Sequence, residues 1–173
     1  MITSLVGRQR RLQLSKNIVI ISSNKDFRQD LSKILARDMK KLYIDADELL
    51  DFEILNRQEL IGIKEAGEML KHVEQDYINR ITNFKNCIIT MSDQLFLAND
   101  NFELLKGLKK IYLPSTPQST KGKSYARYKM EQELLMYDDI NKLLRSLCDI
   151  TINPDSNLQR LSQNIIYELE NCR

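Results

Sequence analysis

No glycine lies between residues 8 and 61 of this 173-residue chain, and only five occur in all, at 7, 62, 67, 107 and 122. A glycine-rich phosphate loop needs backbone N–H groups turned inward at angles that other residues resist. The first third of the chain therefore cannot supply one. Cysteines are few: Cys87, Cys148 and Cys172 are odd in number and share no Cys-x-x-Cys spacing. That argues against a disulfide framework or a thiolate metal site and points to the reducing cytoplasm. His72 is the single histidine, which excludes a multi-histidine metal centre. No run approaches the ~18 apolar residues of a membrane span, and residues 1–7 are too short and too polar for a signal peptide. Charge of one sign is lacking too: 26 basic against 24 acidic residues leave a net +2, too small to imply nucleic acid.

The composition that remains, 42% hydrophobic and 29% charged, suits a globular domain with a core able to fold alone. Residues 1–16 carry Arg8, Arg10, Arg11 and Lys16 with few apolar neighbours and read as a basic arm. Residues 17–173 read as a single α/β domain. Asn17-Ile-Val-Ile-Ile21 is a β-branched run, the pattern of a buried parallel strand. A polar break follows, and then Phe27, Leu31, Ile34 and Leu35 recur at helical spacing. Further strands are expected at 42–45, 86–91, 109–113 and 149–152. Helices are expected at 49–52, at 59–84 with a break near Gly62 and Gly67, at 101–107, at 125–147, and at 156–170 with Ser156 as N-cap. In the long helix Met130, Leu134, Ile140, Leu143, Leu144 and Leu147 read as one apolar stripe. Strands alternating with helices give a parallel sheet reached by right-handed crossovers.

Three places invite a chemical reading. At the turn after the first strand, Ser23-x-x-Asp26 fits a capping box, whose oxygens satisfy the N–H groups that otherwise attract phosphate. Asp45 and Asp47 fall at the C-terminal end of the second strand, the rim where parallel sheets place ligands. The pair suits magnesium or an acceptor hydroxyl, while Asp47 equally suits a cap for the next helix. Lys71 and Glu74 form an i,i+3 pair of the kind found on solvated helix faces. Gly122-Lys123-Ser124 resembles the end of a phosphate loop, but Pro117 stands where its first glycine belongs, so Lys121 and Lys123 read as a basic loop. The helical spacing of Tyr125, Tyr128 and Tyr137 assigns them to core and polar edge, not to stacking on nucleic acid.

These elements together resemble the shikimate kinase family of small P-loop kinases over roughly residues 17–170. Residues 17–21 and the helix ending Lys33-Ile34-Leu35-Ala36 are similar to the family's first strand and helix. Tyr43-Ile44-Asp45-Ala46-Asp47 is similar to its aromatic-x-Asp-x-Asp element, in which the first aspartate supports magnesium and the second holds acceptor hydroxyls. Gly67-Glu68, Leu70-Lys71 and Glu74 resemble its Gly-Glu-x-x-Phe-Arg-x-x-Glu with one residue missing, and Lys71 falls where the family has a substrate-binding arginine. Cys87-Ile88-Ile89-Thr90, Ile111-Tyr112-Leu113 and 148–152 are similar to its later strands. The resemblance implies a five-stranded parallel sheet in the order 2-3-1-4-5.

The departures fall on the chemistry. Ser22, Ser23, Asn24, Lys25, Asp26 and Arg28 occupy the phosphate-loop position, and Phe27-Arg28 stand near the family's Lys-Ser/Thr. Met91-Ser92-Asp93 replaces Gly-Gly-Gly, and the Arg-Pro lid is not recognisable in 115–130. The expectation is a catalytically inactive shikimate-kinase-like protein that binds another protein as an assembly or regulatory module. No nucleotide, cofactor, metal or catalytic residue is assigned. Asp45, Asp47 and Lys71 mark a remnant acceptor or metal pocket, and Arg8, Arg10, Arg11, Lys121 and Lys123 mark contacts to an acidic partner. The alternative is an active small-molecule kinase with a shikimate-like acceptor and a divergent nucleotide site, built from Asp45, Asp47, Lys25 or Arg28.

Overall fold

The computed structural model describes residues 16–57, 66–114 and 124–171, with side chains at 16–57, 70–114 and 136–171. Arg8, Arg10, Arg11, Lys121, Lys123 and the expected break at Gly62 lie outside the described residues. Five strands, β1 (Ile18–Ile21), β2 (Leu42–Asp45), β3 (Cys87–Met91), β4 (Lys109–Tyr112) and β5 (Ile150–Thr151), form one sheet in the order β2-β3-β1-β4-β5. Each pairing is parallel: Ile18 lies opposite Ile88 and Lys109, Leu42 opposite Cys87, and Ile111 opposite Ile150. The expected order is therefore the observed one.

β1 and β3 are buried at every residue, as strands covered on both faces must be. Their side chains alternate between two cores. Val19, Ile21, Ile89 and Met91 face one layer, with Ile78, Ile81, Phe96 and Leu144. Ile18, Ile20, Ile88 and Ile111 face the other, with Leu31, Leu35, Leu161 and Ile165. The helices are α1 (Lys25–Asp38), α2 (Ala46–Arg57), α3 (Ala66–Thr82), α4 (Asp93–Leu97), α5 (Asn101–Leu104), α6 (Ser124–Leu147) and α7 (Leu158–Asn171). α1 and α7 cover the second core and pack on one another.

Several boundaries depart from the sequence reading. α2 runs from Ala46 to Arg57 rather than 49–52, because Asp45 Oδ1 accepts the Glu48 N–H at 3.1 Å and starts the helix early. Asp45, not Asp47, is that cap. Before α7, Asn157 rather than Ser156 takes the capping position, its Oδ1 accepting the Arg160 N–H at 2.9 Å. Glu74 accepts from Asn99 Nδ2 at 2.9 Å and Asn101 Nδ2 at 2.7 Å. It thereby pins Asn99 and Asp100, both at positive φ, between α4 and α5. Glu74 is thus tied to this turn, where a solvated pair with Lys71 was expected. In α6, Leu144 is buried, but Met136, Ile140 and Leu143 are exposed. The single stripe read from the sequence is in fact two rows. Among the described residues no helix is long and apolar enough to cross a membrane.

Candidate functional site

The C-terminal ends of β1, β2 and β3 bring three short segments together. The β1–α1 turn is Ser22, Ser23 and Asn24. Its fold differs from a capping box: α1 begins at Lys25, one residue too late for Ser23 to be the N-cap. Asn24 takes that place in extended backbone, its Oδ1 accepting the Phe27 N–H at 3.1 Å. The buried Ser22 Oγ accepts the Asn24 N–H at 3.3 Å. Asp26 stands exposed in the first turn, where its charge favours the helix dipole and disfavours an anion. Phe27 packs partly into the second core.

Arg28 is the centre of the site. On α1 it follows the same buried face as Leu31 and Leu35, and its side chain is only 3% exposed. A guanidinium there cannot shed its charge and must be paired. Its Nη2 meets Asp47 Oδ2 at 2.9 Å and its Nη1 donates to the Ser22 carbonyl at 3.2 Å. Asp47 Oδ2 also accepts the Ser92 N–H at 2.8 Å, and its Oδ1 accepts the Ser92 hydroxyl at 2.5 Å. Ser92 in turn caps α4, accepting the Leu95 N–H at 3.1 Å. One carboxylate thus ties the β1–α1 turn, the start of α2 and the β3–α4 turn together.

Asp45 is buried beside this knot and is equally committed. Its Oδ2 accepts from Gln29 Nε2 at 2.7 Å and the Tyr43 hydroxyl at 3.2 Å, while Oδ1 caps α2. Burial first, then the Asp45 charge, pushes the Tyr43 phenol well above its ordinary range, so it remains a donor. Gln29 Nε2 also reaches Glu48 at 2.9 Å, and Lys25 pairs with Glu48 at 3.3 Å across half-exposed surface. Lys71 is exposed on α3. Among the described residues, no hydrogen bond or ion pair joins it to Asp45 or Asp47. The structure thus brings the two aspartates and the turn residues together.

The residues at this rim do not suit a magnesium ion. Asp47 is neutralised by an internal guanidinium, and both oxygens of each aspartate already accept protein donors. Nor do they suit a phosphate, since Asn24 occupies the end of α1 and the turn has no glycine to bring backbone N–H groups close. Among the described residues no cluster of three or more His, Cys, Asp or Glu side chains is placed to hold a metal.

Asp93, beside this knot, is half-buried, and burial raises its carboxyl pKa despite the Gln94 N–H that it accepts at 2.9 Å and the weaker attraction of Arg28. A raised folded pKa favours the protonated form. That contribution to stability is present below the unfolded pKa and lost as pH rises through the folded one. At neutral pH the Asp93 charge is therefore a liability. Asp93→Asn is expected to raise the melting temperature at pH 7, with the gain shrinking as the pH falls through the carboxylate range. A gain that persisted unchanged at low pH, or a loss at pH 7, would contradict this.

A second feature lay beyond sequence reasoning. An open cleft of about 1350 Å³ runs from the β1–α1 turn to Tyr137, Asn141, Lys142 and Arg145 of α6 and to Asn153 and Pro154 after β5. The Tyr112 hydroxyl donates to Asn141, one of the lining residues. Only the strand order, which seats β4 beside β1 and β5 beside β4, places these distant residues together.

No family model matches the sequence, and no curated protein matches it. Solved structures do. A shikimate kinase from Aquifex aeolicus is similar over 89% of this chain and 96% of its own, with TM-score 0.67 at 14% identity. A shikimate kinase from Bacteroides thetaiotaomicron matches over 90% and 98%, with TM-score 0.64 at 13% identity. One from Acinetobacter baumannii, in complex with shikimate, matches over 92% and 95%, with TM-score 0.64 at 17% identity. At such identities the likeness is one of architecture: the chain shares the fold of these shikimate kinases, a five-stranded parallel sheet between helices.

Proposed function

We propose that this chain is a shikimate-kinase-like protein that transfers no phosphoryl group and acts by binding another protein. The observation that carries the reading is the Arg28–Asp47 pair. Phosphoryl transfer depends on a phosphate cradle, a lysine, a metal and closing cations working together. Here a guanidinium occupies the negative charge that an acceptor or metal would use, and an asparagine cap occupies the helix end. The positive features of the sequence, Arg8, Arg10 and Arg11 in the arm and Lys121 and Lys123 in the loop, suit steering toward an acidic partner surface.

A second reading, a small-molecule kinase with a divergent nucleotide site, draws its support from the cleft. Lys25, Lys142 and Arg145 give it three cationic side chains against the single carboxylate of Asp138. Thermal unfolding with millimolar Mg-ATP separates the two. A ligand at 100 times its Kd stabilises by about 2.7 kcal/mol, which for a chain of this size is roughly 5–11 °C. The expected result is no saturable shift. A clear one would overturn the inactive reading in favour of the kinase.

A further inference from the structure

The cleft beside the β1–α1 turn carries a one-sided charge that the buried Arg28–Asp47 pair does not use. Among the described residues Lys25, Lys142 and Arg145 line it against the single carboxylate of Asp138. Asp138, Lys142 and Arg145 recur on α6 at intervals of four and three residues, so they share one helical face, and all three are exposed. Lys25 pairs with Glu48 at 3.3 Å and Lys142 with Asp139 at 3.6 Å. Both pairs are more than half exposed, and pairs of that kind hold weakly enough to exchange partners. Arg145 has no ion pair among the described residues.

We propose that this cleft holds an acidic segment of a partner polypeptide, its carboxylates set against Lys25, Lys142 and Arg145. The inference rests on the reading of the chain as an inactive, protein-binding module, and it names where the partner is held. The other lining groups suit a polypeptide. The Asn153 amide and the Asn24 Nδ2 make no hydrogen bond among the described residues. An amide that both donates and accepts matches a peptide backbone. Phe27 and Pro154 add apolar surface beside them.

Other anions fit less well. The cleft, at about 1350 Å³, is larger than the roughly 300–1,000 Å³ of a small-molecule pocket. At its β1–α1 end the Asn24 cap and the Asp26 charge disfavour a phosphate. A nucleic acid would meet Asp138 inside the cleft, on a chain whose net charge is only +2. Carboxylates spaced along a peptide carry less charge per unit length and can pass Asp138 between them.

Fluorescence anisotropy of a labelled peptide of about ten glutamates, about 33 Å when extended, tests the proposal. The full chain is titrated to about 1 mM. Saturable binding is expected, weakening several-fold as salt rises from about 50 to about 500 mM. Lys142→Glu/Arg145→Glu should weaken it about tenfold or more, and Asp138→Asn should tighten it about two- to threefold. Opposite responses to the two variants separate a charge-matched cleft from a general loss of fold, which circular dichroism melts also check. No saturable binding, or binding indifferent to Lys142→Glu/Arg145→Glu, would overturn the proposal. So would tighter binding of a labelled oligothymidylate of equal length, which would make the ligand a nucleic acid. If a chain starting at Lys16 lost the peptide while Lys142→Glu/Arg145→Glu kept it, the arm would be the contact. The cleft would then fail as the site, and the protein-binding reading would stand. Displacement of the peptide by millimolar Mg-ATP at constant ionic strength would overturn the inactive reading itself.

Discussion

Asp47→Ala is expected to destabilise the protein by about 3 kcal/mol, the loss typical of breaking a buried ion pair from one side. Asp47 is 24% exposed but Arg28 only 3%, so the damage falls on the arginine. It is left with its charge, one carbonyl from Ser22, and an Nε that already makes no hydrogen bond among the described residues. The Ser92 N–H loses its acceptor at the same time. For a chain of this length the loss amounts to roughly 6–12 °C in melting temperature. Arg28→Met in the Asp47→Ala background should recover a substantial part of it. Replacing both partners of a buried pair with apolar groups is often near neutral. Urea unfolding of the two single variants and the double gives the coupling between them. A loss below about 1 kcal/mol in Asp47→Ala would mean that Arg28 is not dependent on this carboxylate. The aspartate would then be available to a ligand, and the strongest support for an inactive site would be gone.

The same pair shows how far the sequence could be read. The sheet was legible because β1 and β3 are unbroken β-branched runs, and such runs are stable only between two layers. The strand order came from the resemblance, not from the residues. The acidic rim was legible as Asp-x-Asp, but the roles of its members were not. Which carboxylate caps α2 depends on where the helix starts, and that is a matter of one residue. A comparable one-residue shift moved the α1 cap from Ser23 to Asn24. Arg28 and Asp47 are 19 residues apart, and no local pattern announces their contact. One signal did exist: Arg28 shares its helical face with Leu31 and Leu35, and an arginine on an apolar face requires a partner. The two rows of α6 failed for the opposite reason. Periodicity reports which residues are apolar, not which are covered, so an exposed apolar row reads the same as a core.

Phe96→Ala is expected to cost about 3–5 kcal/mol, as large-to-small changes of fully buried aromatics do. The resemblance puts an open glycine run against the acceptor after the third strand. Here the chain turns directly into α4, capped by Ser92, and drives Leu95 and Phe96 into the core. Phe96 is wholly buried, and its ring lies 6.3 Å from that of Phe102 at a tilt of 51°. Its neighbours are held from both sides: Ser92 by Asp47, and Asn101 by Glu74 and the Leu95 carbonyl at 2.8 Å. A segment anchored in this way cannot collapse to fill the space, so the cavity should persist and stay dry. The expected fall in melting temperature is roughly 6–20 °C, and benzene should recover part of it by occupying the void. The urea m-value should be unchanged, since the surface exposed on unfolding is nearly the same. If the loss were under about 1 kcal/mol and benzene had no effect, the region after β3 would be soft rather than packed. A soft region there would be free to rearrange around an acceptor, as a small-molecule kinase requires.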